Sequence, residues 1–332
     1  MSHFEPIFRQ GDLSTLAANF WPRNLPPGRY PEHFDYYQTE PDVKVLAVRN
    51  DPLVAPKGKA VGNVVVLHGL EGSHTSGYML SMAAAALERG FRVHRLNMRT
   101  CGGTEALAPT LYHAGLTSDL RAVVAQLEPP VFLVGYSLGG NVVLKAMGEW
   151  GDAALEDAAP VAGAVSISTP LDLMACCLRM QEPRNWLYSQ KFIKSLKARY
   201  RRRHLAYPQV FPLDGLETVK SVLEFDDRFT SKAFGFGDAA TYYATQSSAG
   251  FLGRIRQRTL LIHAADDPLI PVRVYEEAGI AANPALRLEL TRHGGHVGFL
   301  ARAGKRFWAE ERAVAWMEDV MEEAMEEGER LR

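Results

Sequence analysis

Residues 131–139 read Val-Phe-Leu-Val-Gly-Tyr-Ser-Leu-Gly, and this stretch decides the fold. The apolar run Val131–Val134 has the length and composition of a strand that is buried on both faces. Gly135-Tyr136-Ser137-Leu138-Gly139 follows, and apolar residues then continue at helical spacing to Trp150. The glycines allow the strand and the helix to pack closely around a tight turn, which leaves the Ser137 hydroxyl free above the sheet edge. The stretch therefore predicts a nucleophilic serine.

Short apolar runs alternate with helical patterns on both sides of this turn. Most runs are continuous, as expected for strands that are covered on both faces. Their repetition with helices predicts an α/β fold with a mainly parallel sheet between two helical layers. The predicted strands are Val43–Val48, Asn63–Leu67, Phe91–Leu96, Val131–Val134, Val161–Ile167, Thr259–His263 and Leu286–Leu290, and the predicted helices include Tyr78–Arg89, Leu116–Leu127 and Leu138–Trp150.

The alternation stops in the middle of the chain. Between about Leu173 and Arg254 the sequence is mixed and partly basic, which predicts a helical insertion between two strands of the sheet. Residues 1–172 and 255–332 then form the two parts of one core, and the amphipathic segment Lys305–Arg332 forms its last helix. The insertion at 173–254 is either a lid over Ser137 or a surface elaboration with no part in catalysis.

The composition narrows the class of protein. The chain has 332 residues, of which 47% are hydrophobic, and a formal net charge of -1. This charge argues against a protein that binds nucleic acid, because such proteins are usually strongly basic. A small uncharged substrate is compatible with it. The sequence contains no H-E-x-x-H or C-x-x-C motif and no phosphate-binding glycine fingerprint, so we expect neither a metal nor a nucleotide cofactor.

The cysteines and the N-terminal segment indicate the cellular compartment of the protein. Cys101, Cys176 and Cys177 are odd in number and two of them are adjacent, which is unlike a disulfide framework and indicates a reducing compartment. The segment Met1–Gln10 lacks a basic region followed by an apolar run, and no stretch approaches 18 apolar residues. We expect a cytoplasmic protein without a transmembrane segment, and peripheral membrane contact stays open.

A serine hydroxyl is a weak nucleophile that needs a base, which an acid orients. After a turn of this kind the acid and the base follow the serine in chain order. The strand Thr259–His263 leads into Asp266-Asp267-Pro268, and we choose Asp267 as the acid because Pro268 fixes the turn directly after it. Asp266 is the structural alternative. Asp172 is a further candidate, although its position after Pro170 favours a helix cap.

The base is expected in the loop after the last strand. Residues 291–296 read Thr-Arg-His-Gly-Gly-His, and both His293 and His296 fit the spacing. The remaining candidates, which lie upstream or on strands, are more typical of structural histidines: His68, His74, His94, His113 and His263.

Two backbone N–H groups are expected to stabilise the oxyanion that forms during acyl transfer. One belongs to Leu138, the residue directly after the nucleophile. The other belongs to the loop after an early strand, and Val64–Leu67 runs into His68-Gly69-Leu70 at that place. We assign the second donor to Leu70. Since both groups are backbone amides, a side-chain substitution at Leu70 should not abolish activity by itself.

Six blocks give the chain a family resemblance across residues 60 to 310. It resembles the YheT-like branch of the α/β-hydrolases, which is related to the abhydrolase-domain lipid esterases and the yeast medium-chain ethyl-ester synthase/esterases. The blocks are His68-Gly69-Leu70-Glu71-Gly72-Ser73, Asn97-Met98-Arg99-Thr100-Cys101-Gly102-Gly103, Gly135-Tyr136-Ser137-Leu138-Gly139-Gly140-Asn141, Glu224-Phe225-Asp226-Asp227-Arg228-Phe229-Thr230, Asp266-Asp267-Pro268 and Gly294-Gly295-His296-Val297-Gly298-Phe299.

The resemblance implies an α/β-hydrolase fold, with a mostly parallel eight-stranded sheet and a helical lid insertion. It also implies a catalytic set of Ser137, Asp267 and His296, which selects His296 over His293, and it implies no cofactor. One departure is Thr100, where the family pattern leads us to expect a smaller residue such as glycine. The acidic residues of Glu224–Thr230 either order the lid or are solvated turn residues.

One local charge anomaly lies in the insertion. Residues 197–204 read Lys-Ala-Arg-Tyr-Arg-Arg-Arg-His. We interpret this stretch as a solvated face of a helix. The functional alternative is a surface that attracts anionic lipid headgroups or an acyl-carrier substrate.

These observations predict a carboxylic-ester hydrolase that acts on short- to medium-chain acyl esters or small lipids through an acyl-enzyme on Ser137. An acyltransferase would use the same acyl-enzyme and pass the acyl group to an alcohol. A non-catalytic binding protein on the same fold is the alternative from another class, and the complete Ser–Asp–His set argues against it.

Overall fold

The computed structural model describes residues 4–26, 28–53, 60–152 and 161–330. The strands in these residues are β1 (Glu32–Glu40), β2 (Val43–Asn50), β3 (Asn63–Leu67), β4 (Arg92–Leu96), β5 (Val131–Tyr136), β6 (Val161–Ile167), β7 (Thr259–Ala264) and β8 (Leu286–Thr291). They form one eight-stranded sheet in the order β1-β2-β4-β3-β5-β6-β7-β8. Strands β3 to β8 are parallel to their neighbours among themselves, whereas β2 is antiparallel to both β1 and β4.

The helices pack on both faces of the sheet and over one of its edges. In chain order they are α1 (Gly11–Phe20), α2 (Gly77–Glu88), α3 (Ser118–Val124), α4 (Leu138–Asp152), α5 (Leu173–Gln181), α6 (Trp186–Ala206), α7 (Val222–Phe225), α8 (Ser231–Ala233), α9 (Ala239–Gln246), α10 (Arg273–Glu276) and α11 (Trp308–Arg330). No helix in the described part of the chain is long and apolar enough to cross a membrane.

The continuous apolar strands are explained by two hydrophobic cores, one on each face of the sheet. Val64 and Val66 of β3 belong to the core that α2 and α11 cover, whereas Val65 and Leu67 belong to the core under α3 and α4. Because successive side chains of a strand point to opposite faces, a strand between two cores needs an apolar residue at every position. This confirms the α/β fold with helices on both faces.

Strand β1 is absent from the strands predicted from the apolar runs. Its residues, Glu-His-Phe-Asp-Tyr-Tyr-Gln-Thr-Glu, are exposed or half-buried throughout. The strand forms the edge of the sheet and pairs only with β2 among the described strands. An edge strand with one solvated face needs no apolar run, so hydrophobicity gave no signal for it.

A helical insertion joins β6 to β7. It contains α5 to α9 and a π-helical turn at Asp226–Thr230. The insertion has a hydrophobic cluster of its own, which includes Leu196, Tyr200, Phe225 and Tyr243. Asp172 caps its first helix, because the Asp172 carboxylate accepts a hydrogen bond from the Ala175 N–H at 2.9 Å.

The interpretation of Lys197–His204 as a solvated helix face is wrong for two of its arginines. Arg199 and Arg203 of α6 are 4% and 0% exposed. They are four residues apart and therefore lie on the same face of the helix, which points into the molecule. Arg201 and Arg202 form ion pairs with acidic side chains at the surface. Attraction of this stretch to anionic lipid headgroups or to an acyl-carrier substrate stays the untested alternative.

Thr100 adopts a backbone conformation that favours glycine. Its φ is 64°, its side chain is buried, and its hydroxyl has no hydrogen-bond partner in the described part of the chain. For a β-branched residue this left-handed conformation costs roughly 1–2 kcal/mol. The expectation of a small residue at this position thus has a physical basis.

We expect Thr100→Gly to raise the free energy of unfolding by about 1 kcal/mol, because it relieves the strained conformation and removes the unpaired hydroxyl. Urea unfolding of the purified variants measures the effect. Thr100→Ala is the control, since alanine removes the hydroxyl but keeps the steric strain. A glycine variant no more stable than the alanine variant would show that strain at this position is unimportant.

Candidate active site

Ser137 lies on the turn between β5 and α4. Its φ is 50°, a left-handed conformation that is uncommon outside glycine, and its N–H donates to the Ile167 carbonyl at 2.8 Å. The flanking glycines are required for packing. A Cβ at Gly135 would lie 2.5 Å from the Gly139 carbonyl oxygen, and a Cβ at Gly139 would lie 2.5 Å from the His68 carbonyl oxygen. The turn thus presents the hydroxyl at the carboxyl edge of the sheet.

A chain of hydrogen bonds joins Ser137, His296 and Asp267. His296 Nε2 lies 3.0 Å from Ser137 Oγ, and His296 Nδ1 lies 2.9 Å from Asp267 Oδ2. An ionised carboxylate only accepts hydrogen bonds, so Nδ1 carries the proton and Nε2 accepts from the serine hydroxyl. The structure therefore brings together all three residues of the predicted catalytic set, which are far apart in the sequence.

Asp267 is held in its ionised form within the protein. Its side chain is 0% exposed, and burial by itself raises the pKa of a carboxyl group. The His296 ring and the Ile270 backbone N–H outweigh that effect and hold the pKa of Asp267 below its ordinary value. Oδ1 accepts from the N–H groups of Leu269 and Ile270 at 2.8 and 3.0 Å, which leaves Oδ2 for His296.

A second aspartate–histidine pair lies beside the first. Asp266 Oδ2 lies 3.2 Å from His293 Nδ1, and Asp266 Oδ1 accepts from the Gly295 N–H at 2.9 Å. Neither residue forms a hydrogen bond with Ser137 among the described contacts. Asp266 therefore fixes the loop that carries His296, whereas His293 points to a different partner.

The His296 loop is held by two residues that sequence reasoning missed. Thr15 of α1 accepts from the His296 N–H through its hydroxyl at 2.8 Å, and the Ser168 hydroxyl accepts from the Val297 N–H at 3.1 Å. Both contacts join segments that are more than 120 residues apart. No local pattern around Thr15 or Ser168 signals such a contact, so only the tertiary structure identifies them.

The loop after β3 passes directly beside Ser137. A Cβ at Gly69 would lie 3.1 Å from Ser137 Cβ and 3.6 Å from its Oγ. His68 Nε2 accepts from the Met98 N–H at 3.1 Å, so the neutral ring carries its proton on Nδ1, which donates to the Gly69 carbonyl at 2.7 Å. Burial lowers the pKa of His68 to about 4, which keeps the ring neutral.

This hydrogen bond sets the direction of the Leu70 N–H. In a trans peptide the C=O and the following N–H point in opposite directions. Because the Gly69 carbonyl points to the His68 ring and also accepts from the Gly72 N–H at 3.0 Å, the Leu70 N–H points to the other side of the loop. The other predicted donor, Leu138, is the first residue of α4, where N–H groups lack intrahelical acceptors.

An open pocket extends from Ser137 and His296, and its empty space, which includes open solvent, measures about 750 Å³. Its walls are largely apolar, and most of them come from the insertion between β6 and β7. The residues that the insertion contributes include Leu173, Cys176, Met180, Phe192, Leu196, Val222 and Tyr243. The insertion thus lies over the serine rather than on a remote surface.

The block Glu224–Thr230 supplies a buried polar group to this pocket. The Asp226 carboxylate accepts from the hydroxyls of Tyr243 and Thr230 at 2.6 and 2.7 Å. Burial raises the pKa of Asp226 to about 6, although these hydrogen bonds act in the opposite direction. Asp227 accepts from the Ala239 N–H at 3.0 Å. Both acids therefore join segments of the insertion, as expected if they order it.

Comparison with known proteins places this geometry in a family. A family model described as alpha/beta hydrolase fold matches residues 62–303. The chain belongs to the alpha/beta hydrolase fold family. The matched segment of this α/β-hydrolase includes Ser137, Asp267 and His296 and the whole insertion.

Curated relatives of this α/β-hydrolase include bacterial and animal proteins. The chain is 34% identical over 268 residues to the YheT esterase of Escherichia coli, which covers 78% of this chain and 77% of that protein. It is 30% identical over 244 residues to the phospholipase ABHD3 of Homo sapiens, which covers 71% of this chain and 58% of that protein. These relatives confirm the YheT-like branch and the class of a carboxylic-ester hydrolase.

A solved structure supports the fold independently. The esterase Pf2001 of Pyrococcus furiosus superposes with a TM-score of 0.56 at 18% identity, over 90% of this α/β-hydrolase and 98% of that chain. At this identity the likeness concerns the fold alone. The eight-stranded sheet with helices on both faces is thereby confirmed.

Proposed function

We propose that this α/β-hydrolase is a serine esterase in which Ser137 is the nucleophile, His296 the general base and Asp267 the acid that orients it. The observation that carries the proposal is the unbroken hydrogen-bond chain from Asp267 through His296 to Ser137 at the end of an apolar pocket. A nucleophile, a base and an orienting acid within hydrogen-bond distance form the arrangement that activates a serine.

The proposed reaction has two halves. His296 Nε2 takes the proton of Ser137 Oγ as Oγ bonds to the ester carbonyl carbon, and the carbonyl oxygen gains the negative charge. The carbonyl double bond then re-forms as the ester C–O bond breaks, and Nε2 donates the proton to the departing alcohol. Water then attacks the acyl carbon and passes a proton to Nε2. As the bond between the acyl carbon and Ser137 Oγ breaks, Nε2 returns this proton to Oγ and the carboxylic acid leaves. The N–H groups of Leu70 and Leu138 stabilise the oxyanion in both halves.

The pocket supports short- to medium-chain acyl esters or small lipids as substrates. Its largely apolar walls favour the transfer of acyl methylenes out of water. Each methylene that the pocket buries contributes about 0.8 kcal/mol, so kcat/KM should rise with chain length until the pocket is filled.

A series of p-nitrophenyl esters tests this proposal. We expect kcat/KM to increase by about fourfold for each added methylene, to reach a maximum at short to medium length, and to fall for long chains. Adding an aliphatic alcohol measures how much acyl group is transferred rather than hydrolysed. Predominant ester formation would assign an acyltransferase, and absence of any turnover by folded protein would favour a binding protein.

We also propose a cytoplasmic location, which the state of the cysteines supports. Cys101, Cys176 and Cys177 are free and buried. Burial raises the pKa of the Cys101 thiol to about 12, although the neighbouring Arg199 acts in the opposite direction. Free cysteines rather than disulfides are typical of proteins in a reducing compartment.

A further inference from the structure

Arg199 of the insertion is a permanent charge inside the protein. Its side chain is 5% exposed, and its guanidinium lies 2.7 Å from Glu71 Oε1, whose side chain is 11% exposed. The guanidinium also stacks on Tyr112, 4.3 Å from the ring centroid, and lies 3.8 Å from Cys101 Sγ. A charged residue of α6 is thus bound to the loop that follows β3, across the pocket wall.

Glu71 is the residue directly after Leu70, and its backbone is strained. Its φ is 58°, in the left-handed region that a residue other than glycine occupies only where its surroundings impose it. The Glu71 N–H donates to the Tyr112 hydroxyl at 3.2 Å, and the same hydroxyl lies 3.4 Å from Glu71 Oε1. Arg199 and Tyr112 therefore hold both the backbone and the carboxylate of this residue.

We propose that Arg199 is a positioning residue: by holding Glu71, it fixes the loop that aims the Leu70 N–H at the reacting carbonyl oxygen. This inference rests on the function proposed above and adds a role for the insertion in it. The insertion covers the serine, and through Arg199 it also completes the oxyanion site. His68 holds the loop from the side of the sheet, and Arg199 holds it from the side of the insertion.

The energetics of buried ion pairs agree with a positioning role. Removing two charges from water is costly, and apolar residues of similar volume often stabilise a protein as well or better. A buried pair such as Arg199–Glu71 is therefore weak evidence for a contribution to stability, which agrees with a role in fixing the loop. An oxyanion donor that is displaced by about 1 Å loses a large part of its effect, since its hydrogen bond must match the transition state.

The test compares Arg199→Met, Arg199→Lys and the double variant Glu71→Leu/Arg199→Met, using p-nitrophenyl butanoate as substrate. Arg202→Met is the matched control, because Arg202 lies on the same helix and its ion pair with Glu105 is at the surface. We expect kcat to fall by about 10- to 100-fold in Arg199→Met and in the double variant, with KM changed by less than about threefold. Arg199→Lys should recover most of the loss, and Arg202→Met should equal the wild type.

Arg199→Met alone leaves the Glu71 carboxylate buried without its ion-pair partner. The double variant removes both charges, so its kcat reports the loss of the contact rather than the effect of an unpaired buried charge. Thermal unfolding of each variant verifies that it is folded at the assay temperature. A double variant with the kcat of the wild type would overturn the proposal, and so would a rise in KM with kcat unchanged, which would make Arg199 a substrate-binding group. Failure of the proposed function is distinguishable, because the wild type would then show no turnover at all.

Discussion

Replacing Ser137 by alanine lowers kcat for a p-nitrophenyl ester by about 10⁴- to 10⁶-fold and leaves the fold intact. The size of the effect follows from the acyl-enzyme mechanism, in which removal of the nucleophile leaves only the oxyanion donors and the pocket to assist water. Steady-state kinetics measures the loss, and an active-site-directed reagent checks that the purified variant contains no contaminating active enzyme. Alanine fits without a clash, because it removes only the hydroxyl from a side chain that already occupies the site.

The same position predicts an effect on stability. Ser137 has a φ of 50°. Glycine adopts this conformation without steric cost, whereas alanine has the same steric cost as serine. Ser137→Gly should therefore be as inactive as Ser137→Ala and more stable, by about 1 kcal/mol in the free energy of unfolding. Residual activity within about tenfold of the wild type in either variant would exclude Ser137 as the nucleophile.

The second large predicted effect distinguishes His296 from His293, which lie in the same loop. His296→Ala should lower kcat by about 10⁴-fold or more, because among the residues that the structure describes no other group within hydrogen-bond distance of Ser137 Oγ accepts its proton. His293→Ala is the matched control, since His293 lies three residues away and pairs with Asp266 instead. We expect His293→Ala to stay within about threefold of the wild type. Near-normal turnover in His296→Ala would assign the base to His293.

The two neighbouring aspartates, Asp266 and Asp267, allow the same comparison for the acid that orients His296. Asp267→Asn should lower kcat by about 10⁴-fold, because an amide in place of the carboxylate no longer fixes the tautomer of His296. Asp266→Asn should have a smaller effect, within about tenfold, because Asp266 anchors the loop through the Gly295 N–H. Equal losses in both variants would mean that the aspartates act only by holding the loop.

Most of the fold could be predicted from the sequence, because buried parallel strands are apolar at every position. The runs around Val64 and Phe132 gave strong signals, since each lies between two cores. Strand β1 gave none, because its residues at the sheet edge are mostly in contact with water. Hydrophobicity detects burial, and an edge strand is held mainly by backbone hydrogen bonds that leave no trace in the sequence.

A site residue could be predicted from the sequence where the fold requires one residue type at one recognisable position. Ser137 follows from its glycine-flanked turn, and Asp267 follows from a strand end with Pro268 directly after it, although Asp266 stayed the alternative. Spacing alone left His293 and His296 equivalent, and the resemblance chose His296. The structure shows the difference as a distance, since His296 Nε2 lies 3.0 Å from Ser137 Oγ.

The contacts that cross between distant segments were not predictable. Arg199 is one cation in a basic stretch, and its burial against Glu71 depends on how the insertion packs over the loop after β3. Thr15 has no local feature that points to His296, yet its hydroxyl accepts from the His296 N–H. Sequence periodicity identifies the face of a helix, whereas the partner of that face is decided by tertiary packing.

Labelling with a fluorophosphonate probe tests the central claim most directly, because the probe phosphonylates only a serine that a neighbouring base has activated. The wild-type protein should take up one probe molecule per chain, and peptide mass spectrometry should locate it on Ser137. Ser137→Ala should remain unlabelled under the same conditions, and His296→Ala should react far more slowly. A folded wild-type protein that takes up no probe, or takes it up at another serine, would contradict the assignment of Ser137 as the nucleophile.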